Sequence, residues 1–185
     1  RSVWGLQDNL EMLKKYAPNE IKFVILYRDL QEVIASFIHW SENNKPNFLD
    51  NSTDGTYESK AAHMMRTNSE IWRDYWSIVG ARDSGFPCFF IEYKDLVTHT
   101  PKVISSLYEF LEIDSYDHDY EKLDLFNIDG IKYDDTTVGS NLHTIRTNGI
   151  QFNKYNLNKY LSKDILNICR TLNFWKDGSL RKTWC

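Results

Sequence analysis

The sequence lacks the features that define several broad classes of protein. Its 185 residues contain three cysteines, at Cys88, Cys169 and Cys185, and such an odd, widely spaced set suits neither a disulfide framework nor a zinc knuckle. It contains no apolar run near twenty residues, so we predict no membrane span. It also lacks an excess of basic residues, because the formal net charge is -4, which argues against a general binder of nucleic acid or anionic membranes. The cysteine usage favours a reducing, cytoplasmic setting.

What the sequence does contain is enough apolar material for one ordinary domain. A chain of 185 residues can bury a sizeable core, and six Trp, eleven Tyr and ten Phe supply large side chains for that core and for aromatic-walled pockets. We predict a single domain over residues 1–185. Because the chain opens on Arg1-Ser2 with no initiator methionine, we expect it to be a fragment of something longer.

Arg28 stands at the most informative position of the chain. It ends an apolar run that we interpret as a strand over residues 21–27, and a helical pattern follows at once over residues 30–42. A cation where a parallel strand passes into a helix is well placed to bind an anion. Ser36 lies about two helical turns farther on, so one guanidinium and one hydroxyl can face the same phosphate. Alternatively, Arg28 pairs with a neighbouring carboxylate and Ser36 bonds to its own helix, and spacing alone leaves both possibilities open.

A second apolar run, over residues 88–93, is typical of a buried parallel strand and carries Tyr93 at its carboxyl end. The succession of strand, helix, long helix, strand and helix predicts an α/β layer fold with a parallel sheet. Ligands in such folds collect beyond the carboxyl ends of the strands, so we expect Arg28 and Tyr93 to lie there. Farther along, Arg146 precedes Gly149, whose bare backbone can approach a ligand closely.

The rest of the chain predicts further helices and one exposed connection. These helices lie at residues 8–17, 57–81, 102–111 and 162–172, with Asp8 and Thr100 as caps of the first and third and Trp76 on the buried side of the second. Residues 47–55, rich in Asn, Asp, Ser and Thr, are expected to form an exposed loop that serves as a lid or a substrate rim. Asp117-His118-Asp119 could suggest a metal, but neighbours in sequence cannot all reach one ion without a turn, so we predict no metal site.

Three blocks of the sequence resemble motifs of one known family. Residues 28–40, RDLQEVIASFIHW, resemble Arg-x-Pro-x-Asp-Val-x-x-Ser-Tyr-x-His-Phe, with the spacing from Arg to Ser kept. Residues 93–96, YKDL, resemble Tyr-Glu-Asp-Leu, and residues 146–149, RTNG, are similar to an Arg-Lys-Gly turn with one extra residue. These motifs are those of the sulfotransferases that use 3′-phosphoadenosine 5′-phosphosulfate, and the chain resembles the carboxyl-terminal two-thirds of such an enzyme.

The resemblance implies a fold, a site and a co-substrate. The fold would be α/β with three layers, a mostly parallel sheet flanked by helices, of the P-loop NTPase-like type. Arg28 and Ser36 would hold the nucleotide 3′-phosphate, Tyr93 would contact the adenine side, and Arg146 with Gly149 would close over the same phosphate. The co-substrate would be 3′-phosphoadenosine 5′-phosphosulfate, with adenosine 3′,5′-bisphosphate as the product, and the acceptor would be a small molecule or a carbohydrate.

The sequence departs from the family upstream of Arg28. The family's first strand and its phosphosulfate loop, of the Pro-Lys-Ser-Gly-Thr-Thr type, are not found, and no histidine precedes Arg28. That loop supplies backbone N–H groups and a basic side chain to the 5′-phosphosulfate. We therefore assign no catalytic residue, and we expect this fragment alone to be inactive while holding the nucleotide half of the site.

The sequence thus predicts a sulfotransferase that moves a sulfuryl group to a hydroxyl or amine acceptor. One alternative is a small-molecule or nucleoside kinase on a related scaffold, which would need an upstream Gly-Lys-Ser/Thr loop and Mg²⁺. A second alternative is a non-catalytic domain that binds nucleotide or a partner protein. A cytoplasmic location is predicted, with the Golgi lumen left open, and the oligomeric state is not predicted.

Overall fold

The computed structural model describes residues 3–17, 21–121, 127–128, 131–132 and 149–176, and of residues 127–128 and 131–132 it describes the backbone. Along the chain the elements are α1 (Gln7–Tyr16), β1 (Phe23–Tyr27), α2 (Leu30–Asn43), α3 (Phe48–Ser52), α4 (Tyr57–Met64), α5 (Glu70–Asp83), β2 (Cys88–Glu92), α6 (Tyr93–Thr98), α7 (Thr100–Leu111), β3 (Asn127–Ile128), β4 (Ile131–Lys132), α8 (Leu157–Tyr160) and α9 (Lys163–Leu172). A short 3-10 turn, Phe174–Lys176, follows α9. The predicted α/β class is confirmed, and helix predominates.

Strands β1 and β2 form a parallel pair in the described part of the chain. Their register runs from Phe23 opposite Cys88 to Tyr27 opposite Glu92. Both strands are rich in the aromatic and β-branched residues that favour a pleated, buried backbone. Because the strands are parallel and in this register, Arg28 and Tyr93 leave the sheet side by side. Strands β3 and β4 form a separate antiparallel pair.

Helices pack on both faces of β2, as its continuous apolar run predicts. Phe90 belongs to the larger core cluster, together with Ile25 and Tyr27 of β1. Phe89 and Ile91 point the other way and pack against Val103 of α7. The structure therefore places helical layers on either side of this strand, while the sheet itself has two parallel strands within the described residues.

The larger core is built around α2. Ile34, Ala35 and Ile38 are fully buried on one face of this helix, at the spacing expected of an amphipathic helix. That face contacts α4, α8 and α9. Because this face is fixed in the core, the rest of α2 is fixed too. It carries Ser36 toward Tyr155, which precedes α8, and His39 toward Tyr160 of α8.

The expectation of an exposed loop over residues 47–55 is wrong, because a short helix, α3, occupies most of that segment. Asn47 caps it by accepting hydrogen bonds from the backbone N–H groups of Leu49 and Asp50 at 3.0 and 3.1 Å. Lys60, whose side chain is 3% exposed, forms an ion pair with Asp50. Leu49 is fully buried beneath the helix. Asn47 and Asp50 therefore hold the segment in place, while Asn51, Ser52 and Asp54 are exposed to solvent as expected.

The single long helix predicted over residues 57–81 is also wrong, since two helices, α4 and α5, replace it. Ser69 caps α5, and its hydroxyl accepts a hydrogen bond from the backbone N–H of Trp72 at 3.2 Å. Trp76 lies mostly in solvent, although its position predicts the buried side. A capping residue inside the apolar pattern, Ser69, thus divides the predicted helix in two, and the buried face of α5 differs from the face that a continuous helix would bury.

The ends of the other helices differ in detail from their predicted caps. Helix α1 begins at Gln7, so Asp8 lies in its first turn and does not cap it. Thr100 is inside α7, where its hydroxyl donates a hydrogen bond to the carbonyl oxygen of Leu96 at 2.5 Å. The last helix is confirmed, with Ser162 accepting a hydrogen bond from the backbone N–H of Ile165.

Candidate functional site

Arg28 and Tyr93 meet at the carboxyl ends of the two parallel strands, which confirms their predicted placement. The Cζ atom of Arg28 lies 4.6 Å from the centre of the Tyr93 ring. A guanidinium over an aromatic ring is held by the negative charge on the face of the ring. The pair forms part of the wall of a cavity of about 280 Å³, together with Leu26, Tyr27 and Trp175.

A second tyrosine lies near the same guanidinium. The ring centre of Tyr155 is 5.6 Å from Cζ of Arg28. Nε of Arg28 donates a hydrogen bond to the carboxylate of Glu32 at 3.0 Å, and Nη2 donates to the carbonyl oxygen of Asn153 at 3.5 Å. The Arg28 side chain is 17% exposed. Among the described residues, these two bonds use two of its five N–H donors, so these contacts orient the guanidinium without saturating it.

Ser36 reaches the same cluster through Tyr155. Its hydroxyl donates a hydrogen bond to the Tyr155 hydroxyl at 3.3 Å. Of the two possibilities that the sequence leaves open for Arg28, pairing with a neighbouring carboxylate is confirmed, because Arg28 pairs with Glu32, and phosphate binding stays a prediction. Ser36 bonds outward across the site and not to the carbonyl of its own helix. The Tyr155 side chain joins the two predicted phosphate-binding residues.

Gly149 is buried and has the backbone conformation for which glycine is suited. Its φ is +76°, and a Cβ atom there would lie 3.3 Å from the backbone carbonyl oxygen of Glu121. It begins the segment 149–176, which carries Phe152 and Tyr155 to the site. The Phe152 ring lies 6.1 Å from that of Tyr93. Arg146, the other predicted residue of this turn, lies outside the described residues.

Asp29, next to Arg28, anchors the end of the described chain. Its carboxylate accepts a hydrogen bond from the indole N–H of Trp175 at 3.1 Å and forms an ion pair with Lys176. Asn173, which is buried, accepts a hydrogen bond from the backbone N–H of Leu30 at 3.1 Å. These contacts hold the start of α2 against residues 173–176 and occupy the carboxylate of Asp29. Of the two neighbouring residues, therefore, only Arg28 faces Tyr93 and Tyr155.

A second polar cluster lies at the far end of α2. The carboxylate of Glu42 accepts hydrogen bonds from the hydroxyls of Tyr57 and Tyr160 and from the ammonium of Lys159. Burial alone would raise the pKa of Glu42, but these bonds outweigh it and lower the pKa to about 2. Nδ1 of His39 lies 3.0 Å from the Tyr160 hydroxyl. The cluster therefore fixes α8, and with it the segment that carries Tyr155, against α2.

The residues that sequence analysis missed are Tyr155, Glu32 and the Glu42 cluster. Glu32 could have been found, since it lies four residues after Arg28 on a predicted helix, where opposite charges meet. No periodic pattern in the sequence indicates Tyr155, because it lies in an irregular segment 119 residues away from Ser36.

The predicted absence of a metal site concerned Asp117-His118-Asp119, and a ring nitrogen of His118 lies 2.7 Å from the Tyr108 hydroxyl. Within the described residues, no group of three or more His, Cys, Asp and Glu side chains could hold a metal, and no helix is long and apolar enough to span a membrane.

A known protein family matches most of the chain that builds this site. The model of the sulfotransferase domain matches residues 9–164, a range that includes Arg28, Ser36, Tyr93, Gly149 and Tyr155. No curated protein and no solved structure matches the chain. The match extends over far more than half of the 185 residues. The motif resemblance is thereby confirmed, and the chain belongs to the sulfotransferase family.

Proposed function

We propose that this protein transfers a sulfuryl group from 3′-phosphoadenosine 5′-phosphosulfate to a hydroxyl or amine acceptor. The observation that carries the proposal is the placement of the Arg28 guanidinium against Tyr93 and Tyr155, with Ser36 bonded to the same Tyr155. Family membership supplies the reaction class. The proposal includes the three-layer, P-loop NTPase-like fold and a single domain over residues 1–185.

The residues of this cluster suit a nucleotide that carries a phosphate on its ribose. Three of the five N–H donors of Arg28 have no hydrogen bond to the described residues, and a guanidinium can offer two parallel N–H groups to the oxygens of a phosphate. Ser36 adds a hydroxyl donor once it turns from Tyr155 to the ligand. Tyr93 offers a ring on which a base can lie, because base stacking on aromatic side chains is favourable for every base. Gly149 and Arg146 are proposed to close the same phosphate site.

The pairing of Arg28 with Glu32 is compatible with phosphate binding. Glu32 engages Nε at 3.0 Å, which turns the guanidinium plane and holds it before any ligand arrives. A preoriented guanidinium loses less rotational freedom on binding than a mobile one. The net charge of -4 makes such local donors necessary, since the protein as a whole does not attract a polyanion.

The chemistry that follows from this class is in-line transfer of the sulfuryl group, with a base that takes the proton of the acceptor. We assign neither the base nor the sulfate-binding loop to a residue of this chain. The described thiols, Cys88 and Cys169, are free, which supports the proposal of a cytoplasmic, reducing location. A small molecule or a carbohydrate is the proposed acceptor class.

Calorimetric titration with adenosine 3′,5′-bisphosphate tests the proposal. We expect Arg28→Ala to weaken binding by roughly 1.5–3 kcal/mol, the scale of a charge-assisted hydrogen bond, which is about tenfold to 150-fold. Arg28→Lys should give an intermediate loss, because lysine keeps the charge without the fork of donors. Arg170→Ala, which removes an exposed arginine of α9, is the matched control and should leave binding unchanged.

Two results would contradict the proposal. One is an affinity for the bisphosphate that is the same in the Arg28→Ala variant and in the natural sequence. The other is binding of ATP that requires Mg²⁺, with no binding of the bisphosphate, which would favour the kinase alternative.

A further inference from the structure

The Tyr155 hydroxyl carries a proton that no described residue accepts. Ser36 donates its own proton to the Tyr155 oxygen at 3.3 Å, and among the described residues this is the one hydrogen bond of the Tyr155 hydroxyl. A hydroxyl has one proton and two lone pairs, so the bond from Ser36 uses a lone pair and leaves the Tyr155 proton for another acceptor. The side chain is partly buried beside Arg28. A ligand bound at Arg28 can therefore supply that acceptor.

The Tyr155 side chain is held in place by its surroundings. Its ring centre lies 5.6 Å from Cζ of Arg28 and 5.3 Å from the centre of the His39 ring. Helix α8 begins two residues after Tyr155, and the hydrogen bond from Tyr160 to Glu42 holds that helix against α2. A side chain that is fixed before a ligand arrives loses little freedom on binding. The Tyr155 hydroxyl is thus a preoriented donor.

The hydroxyls of Ser36 and Tyr155 lie close enough to share one acceptor. Their oxygens are 3.3 Å apart, and a hydroxyl donates over about 2.7–2.8 Å. Because this separation is less than twice the length of one such bond, an acceptor atom at hydrogen-bond distance from both oxygens is geometrically possible. The nearby positive charge of Arg28 favours an anionic acceptor there. A phosphate fits this arrangement, since it offers several charged oxygens to donors on different sides.

We propose that Tyr155 is a further binding residue for the 3′-phosphate of the nucleotide and that its hydroxyl makes the site prefer a nucleotide with this phosphate over one without it. The inference rests on the proposed function, in which Arg28 and Ser36 hold the same phosphate. The phenol donates its proton to a phosphate oxygen, and the charge of the acceptor strengthens the bond. A nucleotide that lacks the 3′-phosphate gains nothing from this hydroxyl.

Calorimetric titration of the Tyr155→Phe variant tests this assignment. The ligands are adenosine 3′,5′-bisphosphate and adenosine 5′-monophosphate, which differ only in the 3′-phosphate. Phenylalanine keeps a ring beside Arg28 but removes the hydroxyl. We expect the affinity for the bisphosphate to fall by roughly tenfold, the lower end of the scale for a hydrogen bond to a charged group, and the affinity for the monophosphate to stay unchanged. Tyr16→Phe, which removes an exposed hydroxyl from α1, is the matched control and should change neither affinity.

A second comparison distinguishes direct contact with the phosphate from a role in holding Ser36. In the Ser36→Ala variant, the Tyr155 hydroxyl no longer has Ser36 as its partner. If Tyr155 contacts the phosphate, adding Tyr155→Phe to this variant should weaken binding of the bisphosphate again, by a similar factor. If Tyr155 acts only by holding Ser36, the added substitution should leave binding unchanged, and that result would overturn the inference.

The outcomes separate this inference from the proposed function. If the bisphosphate binds in an Arg28-dependent manner and Tyr155→Phe loses no affinity for it, the assignment of Tyr155 is overturned and the proposed function stands. An equal loss of affinity for the bisphosphate and the monophosphate would also overturn the assignment, because a general disturbance of the site affects both ligands alike. If the natural sequence does not bind the bisphosphate at all, the proposed function and the assignment of Tyr155 are both overturned.

Discussion

Replacement of Glu42 by glutamine should make the protein less stable at neutral pH, and this loss of stability should shrink as the pH falls. Glu42 lies near the end of α2 and accepts hydrogen bonds from Tyr57, Lys159 and Tyr160 in its ionised form. Glutamine keeps the volume and one acceptor oxygen but loses the charge. The hydrogen bonds to Glu42 link α2 to α4 and α8, so the variant weakens contacts between three helices.

The size of this loss of stability follows from the pKa of Glu42, which is lowered from 4.5 to about 2 in the folded protein. A group with a lowered folded pKa stabilises the protein fully above its unfolded pKa, and this stabilisation is lost as the pH falls toward the folded pKa. The full shift in the pKa of Glu42 corresponds to at most about 3 kcal/mol in the free energy of unfolding at neutral pH. Because the carboxylate is 26% exposed and partly screened by solvent, we expect about 1–2 kcal/mol.

Urea denaturation between pH 7 and pH 2.5 measures this difference. We expect the variant to be less stable by a constant amount from pH 7 to pH 5 and the gap to shrink steadily below pH 4.5. The exposed Glu109 on α7 gives the control, since Glu109→Gln should stay within about 0.5 kcal/mol of the natural sequence throughout. A gap that is absent at pH 7, or that has the same size at pH 5 and pH 2.5, would refute the reasoning.

Three further changes test other parts of the structure. Asn173→Ala should lower the free energy of unfolding by about 2 kcal/mol in urea, because it leaves a buried backbone N–H unpaired; an unchanged value would contradict the role of that bond. Lys60→Met should lower the melting temperature less than Lys60→Ala does, because methionine still fills the buried path of the lysine stem, and equal losses would argue against that packing. Burial raises the pKa of both Cys88 and Cys169 to about 11, so about one thiol in a thousand is ionised at pH 8. After Cys185→Ser, the two remaining thiols should therefore react with a disulfide reagent at pH 8 roughly a hundredfold more slowly in the folded protein than in the unfolded one, and equal rates would contradict this burial.

The positions of Arg28 and Tyr93 could be predicted because each stands at the end of an apolar run typical of a strand. The carboxyl ends of neighbouring parallel strands lie at the same edge of a sheet. The segment 47–55 could not be placed by composition, because the same polar residues can face water or bond to their own backbone, as Asn47 does. The break before α5 was predictable in principle from Ser69, a capping residue inside an apolar pattern.

Contacts between distant parts of the chain were beyond the reach of the pattern analysis. Tyr155 and Glu42 take their roles from partners more than one hundred residues away, and no periodicity in sequence records such a pairing. A motif predicts that residues such as Ser36 meet a ligand, but it does not identify the side chains that hold those residues in place. The assignments of Arg28, Ser36, Tyr93, Arg146 and Gly149 to the nucleotide therefore stay predictions, and the bisphosphate titration tests the site that they would share.

The contacts of Asp29 also determine when the site can be completed during synthesis. Asp29 and its partner Trp175 are separated by 146 positions, so at ordinary translation rates of 5–20 residues per second the partner follows roughly 7–30 s later. Tyr93 is made first, then Tyr155, and the segment that covers the start of α2 comes last. A nascent chain thus carries Arg28 for many seconds with its neighbouring carboxylate uncovered. We expect the contacts at the start of α2 to form only after residues 173–176 have been made.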